Sequence, residues 1–140
     1  MEIELNWIAI VLAALSTMVV GSIWYGPLFG KLWEKLAKIK RDPNFGGVQM
    51  ASLYIGAFLT SLITAIVMGM AVAIAYSFFG GNYLLVSVGT VITLWLGFTA
   101  ARIQMHDGFE NRPKQLTNLT LSHEFVTLVI MAVIIGVWPV

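Results

Sequence analysis

The sequence predicts an all-α fold: a polytopic membrane protein with four transmembrane helices in an antiparallel bundle, plus a short interfacial amphipathic helix. Three observations predict it. The 140-residue chain is 59% apolar and only 11% charged, where globular domains carry about 25% charged residues. Its apolar residues gather into four stretches, each long enough to cross a hydrocarbon core of about 30 Å with roughly 20 helical residues. All eight Lys and Arg fall in two short segments: Lys31, Lys35, Lys38, Lys40 and Arg41, then Arg102, Arg112 and Lys114. Such residues stay on the cytoplasmic side of short loops during insertion. Both termini are therefore expected outside.

The first span is expected over about residues 7–25, ending at Gly26-Pro27, where proline breaks one helix and suits the first turn of the next. That next helix, about 27–39, places Leu32, Trp33, Leu36 and Ile39 on one face and Lys31, Glu34, Lys35 and Lys38 elsewhere. A short basic amphipathic helix beside a span lies in the interface or extends the first helix into the cytoplasm. Arg41 to Gly47 is turn chemistry. The second span covers about 49–79, longer than a bilayer requires, so it tilts or protrudes. Gly80-Gly81-Asn82 makes a tight turn into the third span, about 83–105, and the fourth covers about 116–138. Trp7, Tyr76, Tyr83 and Trp138 fall at one proposed boundary; Trp24, Tyr25, Trp33 and Phe109 fall near the other, as aromatic belts do. Trp95 lies well inside the third span, where its indole N–H needs a partner.

Composition also excludes. The net charge of +1 and the absence of a basic stripe give no nucleic-acid footprint. With no cysteine there are no disulfides, thiolate metal sites or cysteine nucleophiles. The acidic opening Met1-Glu2-Ile3-Glu4 lacks the basic start of a signal peptide, so the first span is expected to persist. The expected partners are the lipid bilayer, a second copy of the chain, and a small solute or ion. No cofactor is predicted.

Helices in lipid associate through small residues and polar contacts. Ala57, Ser61, Ala65, Gly69 and Ala73 recur every four residues in the second span, and Gly89, Thr93, Gly97 and Ala101 do so in the third. The two stripes are expected to pack on each other, and a homo-oligomer to cover what they leave exposed.

Functional polarity concentrates near the basic ends of spans three and four. Glu124 lies on the order of 12 Å into the fourth span at 1.5 Å per residue, and an intramembrane carboxylate marks a functional site by default. Thr117, Thr120, Glu124 and Thr127, with His123 adjacent, draw a polar stripe. Three readings compete. His123, Glu124, Thr120 and Thr127 line a pathway for a proton, cation or small polar solute; or His106, Glu110, His123 and Glu124 converge on a divalent metal; or Glu124 simply pairs with Arg102. No His-Glu-x-x-His, Gly-x-Ser-x-Gly or phosphate-loop motif occurs, so an enzyme ranks behind a transport, channel or ligand-binding protein and behind a non-catalytic scaffold or accessory subunit.

Asn6-Trp7-Ile8-Ala9-Ile10, followed by Ser22-Ile23-Trp24-Tyr25-Gly26-Pro27-Leu28-Phe29-Gly30-Lys31-Leu32-Trp33, resembles the signature of domain-of-unknown-function family 1761. The likeness extends more loosely through Phe109-Glu110, Arg112 and His123 to Gly136 and Trp138. The resemblance implies a small four-helix protein of a bacterial or archaeal cell (inner) membrane. It supplies no activity, substrate or catalytic residue. It does single out Asn6, Trp7, Trp24, Tyr25, Gly26, Pro27 and Gly30, and it suggests that the exit of the first span matters for more than anchoring.

Overall fold

The computed structural model describes residues 4–40, 44 and 46–139. Helix α1 (Trp7–Ile23) starts where the Asn6 side chain accepts the Ala9 N–H at 3.1 Å, an N-cap that satisfies one orphan donor. It runs into a π-helical turn at Trp24–Leu28, closed by Phe29 N–H on the Trp24 carbonyl at 2.9 Å. Pro27 has no N–H to donate into an α ladder, so the chain widens here, and Gly26 leaves helical geometry at φ −104°, ψ −105°. Helix α2 (Gly30–Ala37) follows and ends at Lys38 in the left-handed region. The break expected at Gly26-Pro27 is therefore a wide turn joining two helices, and the short amphipathic helix is present but shorter than residues 27–39. Of the turn expected over Arg41 to Gly47, residues 41–43 and 45 lie outside the described residues.

Helix α3 (Gly47–Phe79) has 33 residues, about 50 Å of rise. Gly80 and Gly81 take positive φ values of 66° and 86°, which turns the chain tightly into α4 (Tyr83–Leu94), capped by Asn82. A second π-helical turn, Trp95–Ala100, joins α4 to α5 (Ala101–Phe109). Helix α6 (Lys114–Val137) completes the chain. Four stretches, Trp7–Leu28, Gly47–Phe79, Tyr83–Phe109 and Lys114–Val137, are long and apolar enough to cross a membrane. The protein is an all-α membrane protein.

The helices pack as a ring in chain order: α1 on α3 and α6, α4 on α3 and α6, with α3 and α6 nearly out of contact across the diagonal. Neighbouring helices in the ring run in opposite directions. Asn6 Nδ2 donates to the Trp138 carbonyl at 3.4 Å, tying the start of α1 to the end of α6, and the rings of Tyr76 and Tyr83 meet across the α3–α4 turn at 4.9 Å.

The core is lopsided. Ile10, Ala13 and Ala14 of α1, Met68 and Val72 of α3, Val91 of α4 and Met131 and Ile135 of α6 are buried together, all in the half of the bundle nearest the termini. In the basic half, α3 residues 47–57 are exposed without interruption. Close packing at one end and a splayed helix at the other leave room between α3 and its neighbours.

The small-residue stripes pack differently from expectation. The α3 stripe meets α1: a Cβ on Gly69 would stand 2.7 Å from Ile10 Cδ1, and the Ser61 and Thr17 hydroxyls share a 2.8 Å hydrogen bond. On the α4 side, Gly89, Thr93, Gly97 and Ala101 are exposed, and no described residue lies within 4 Å of a Cβ built at Gly89 or Gly97. Helix α4 reaches α6 instead through Ser87, whose buried hydroxyl donates to the Ala132 carbonyl at 2.7 Å, and through Gly136, where an added Cβ would meet Leu84 Cα at 2.9 Å. Four-residue spacing marks a face able to approach a neighbour, and here α1 competes successfully for the α3 face.

Candidate functional site

Glu124 projects from the middle of α6, ten residues past its start at Lys114, or about 15 Å along the axis. Its side chain is 38% exposed, and that exposure opens onto two cavities. The first, of about 640 Å³, lies among α1, α3 and α6 and is rich in hydroxyls: Thr17, Ser22, Tyr25, Tyr54, Thr60 and Thr127 line it with His123 and Glu124. The second, of about 520 Å³, lies among α3, α4 and α6 and is largely apolar, with Ile63, Val67, Leu94, Trp95 and Phe98 in its wall. Thr64, Glu124 and Leu128 belong to both. The carboxylate stands at the junction.

Around Glu124 the structure assembles residues distant in sequence. His123 Nδ1 lies 3.4 Å from Glu124 Oε1, and its Nε2 lies 3.5 Å from Thr127 Oγ1. The imidazole is held by aromatic rings from the first π turn: Tyr25 at a centroid distance of 4.8 Å and Trp24 at 5.8 Å. Tyr25 also stacks on Trp33 of α2, and Trp24 on Phe29. Thr120 and Glu124 lie beside the Tyr25 side chain, while the Thr120 hydroxyl itself donates to the Leu116 carbonyl at 3.0 Å. Gly30 keeps this turn compact, because a Cβ there would meet the Tyr25 carbonyl oxygen at 2.7 Å. The wide turns thus bracket Glu124, one lining each cavity, and π turns recur where helices carry function.

Several sequence expectations place their residues elsewhere. Arg102 is exposed and forms no ion pair with Glu124 among the described residues. His106 and Glu110 are exposed at the end of α5, apart from His123 and Glu124, and no group of three or more His, Asp or Glu among the described residues can hold a metal ion. Thr117, read as part of the stripe, belongs to a different cluster. Its hydroxyl donates to Asp107 Oδ2 at 2.6 Å, and Arg112 Nη1 reaches the same carboxylate at 3.2 Å. Asp107 is buried there, pinning the corner between α5 and α6. Sequence reasoning missed that role, although an acid five residues before an arginine, with Pro113 next, was visible. Trp95 stacks on Phe125 at 4.8 Å, yet its indole N–H, like that of Trp24, is buried without an acceptor among the described residues.

The motif residues and the polar stripe therefore converge on one place. Of the motif, Asn6 closes the opposite end, Trp7 is exposed, and Trp24 through Gly30 build the wall beside His123. A family model described as protein of unknown function (DUF1761) matches residues 8–136. The chain belongs to the DUF1761 family. No curated protein and no solved structure matches it. In this DUF1761 protein the two cavities meet at the Glu124 carboxylate.

Proposed function

We propose that this DUF1761 protein binds a small polar solute or ion within the membrane, in the hydroxyl-rich cavity, as a transport, channel or ligand-binding protein. One observation carries the reading: Glu124 lies deep in α6 at the wall of a cavity of about 640 Å³, with His123 as its only ion-pair partner among the described residues. A carboxylate in that position requires a proton, water or a bound cation, and a cavity of this size suits a small molecule. The proposed location is the cell (inner) membrane of a prokaryote with both termini outside, supported by the basic residues at one end of the bundle.

The test is a thermal-unfolding screen of the purified protein against polar solutes and monovalent cations. A ligand at 100 times its Kd raises stability by about 2.7 kcal/mol. Glu124→Gln should keep the helical circular-dichroism spectrum and lose the stabilisation. Absence of any stabilising solute across the screen would reject the reading.

The exposed Gly89, Thr93, Gly97 and Ala101 stripe favours a second reading, a homo-oligomeric scaffold in which a second copy packs on α4. The two readings are compatible, since the stripe and the hydroxyl-rich cavity lie on different helices.

A further inference from the structure

We infer that the ligand of this site is an amphipathic cation: an ammonium group carried on a hydrocarbon body, with the charge at Glu124 and the body in the apolar cavity. The inference rests on the binding reading above and specifies its ligand class.

Charge comes first. Among the described residues no Lys or Arg lines either cavity, whereas Glu124 lines both. A ligand anion would meet the Glu124 carboxylate with no cationic side chain but the His123 imidazole, itself turned to Glu124 at 3.4 Å. A neutral polyol could bond to the cavity hydroxyls but would add no positive charge beside Glu124, whose one ion-pair partner among the described residues is the His123 imidazole. An ammonium group supplies that charge and three donors to the surrounding oxygens, next to the Tyr25 and Tyr54 rings able to face a cation.

The second cavity defines the rest of the molecule. Its wall is built from Ile63, Val67, Leu94, Phe98 and Leu128, and it joins the polar cavity only around Thr64, Glu124 and Leu128. In a bilayer an apolar groove fills with acyl chain, which does nothing for the carboxylate at its edge. A bare inorganic cation satisfies the carboxylate and leaves the groove to lipid. Only a molecule with both parts complements both chambers. The same chemistry occurs in a free amphiphilic amine and in a lipid with an ethanolamine headgroup.

The experiment uses full-length protein in phosphatidylglycerol nanodiscs, titrated with 4-phenylbutylammonium and read by tryptophan emission, since Trp24 and Trp95 flank the junction. Saturable binding is expected, weakened about tenfold or more for the uncharged 4-phenylbutanol and for Glu124→Gln, and largely restored in Glu124→Asp. Val67→Trp, which fills the apolar cavity, should weaken 4-phenylbutylammonium while leaving ethanolamine unchanged. That variant and the amine-to-alcohol ratio remain decisive if Glu124→Gln fails to fold. Adding phosphatidylethanolamine to the discs separates the sources: unchanged amine affinity indicates a free amine, and competition indicates a lipid headgroup. Equal affinity for amine and alcohol, or a folded Glu124→Gln with wild-type affinity, would overturn the inference. If a neutral solute stabilises the protein in the unfolding screen but the amine does not bind, the ammonium assignment falls and the binding reading stands.

Discussion

His123 and Glu124, neighbours in sequence, meet at 3.4 Å through Nδ1 and Oε1, with the imidazole wedged against Trp24 and Tyr25. Arg102, the cation nearest by chain topology, takes no part. The consequence is testable without knowing the ligand. Arg102→Gln should change unfolding stability by no more than about 0.5 kcal/mol, as for an isolated surface substitution. Combined with Glu124→Gln it should give an additive result in a double-mutant cycle. A rescue of one substitution by the other would reveal an ion pair that the geometry does not contain.

The Asp107 corner should behave in the opposite way. Asp107→Ala strands the buried Thr117 hydroxyl and removes the acceptor of Arg112. Hydrogen bonds to charged groups contribute about 1.5–3 kcal/mol, so a loss of about 2 kcal/mol is expected in detergent unfolding. Thr117→Val in the Asp107→Ala background should cost less than it does alone, because the partner is already gone.

Glycines separate by what they touch. Gly136→Ala drives a Cβ into the backbone of Leu84, forcing α4 and α6 apart, at roughly 1–3 kcal/mol. Gly69→Ala meets the movable tip of Ile10 and should cost less. A Cβ at Gly97 meets nothing within 4 Å among the described residues, so Gly97→Ala should not lower the stability of the single chain. If a second copy covers α4, the same substitution should shift native mass in nanodiscs toward the monomer.

Orientation can be read by labelling, since the chain has no cysteine of its own. A cysteine at Asn44 is expected to resist an impermeant maleimide applied to intact cells, while one at Gly81 is expected to react. The reverse pattern would invert the assignment.

The four spans, the break at Gly26-Pro27 and the tight turn at Gly80-Gly81 were legible because each depends on local signals: apolar length, a missing N–H, an available positive φ. Glu124 and His123 were legible as outliers in an apolar run. The partners of each group were not. Spacing at four residues shows that Gly69 and Gly97 lie on faces able to approach another helix, but choosing α1 for the first and leaving the second open depends on three-dimensional competition between helices. Thr117 shares the periodicity of Thr120 and Glu124, which on sequence alone places it in the same stripe. Its actual acceptor, Asp107, lies on another helix, where helical phase carries no information about it. The apolar cavity was invisible for a related reason: Ile63, Val67 and Phe98 look like ordinary lipid-facing residues in any one span.

The π turn at Trp95–Ala100 has a consequence for helical phase. Val91 and Asp107 are sixteen residues apart, and in an unbroken α-helix at about 100° per residue their side chains would point roughly 160° apart. A wide turn absorbs about one residue without rotation, which brings the two within about 60°. Val91 therefore enters the core while Asp107 still reaches Thr117 at the far end of the same span. The third span works like a key with its two bits cut to different wards. Removing a single residue between Trp95 and Ala100 would leave its length and hydropathy almost unaltered, yet it would turn one bit away from its ward.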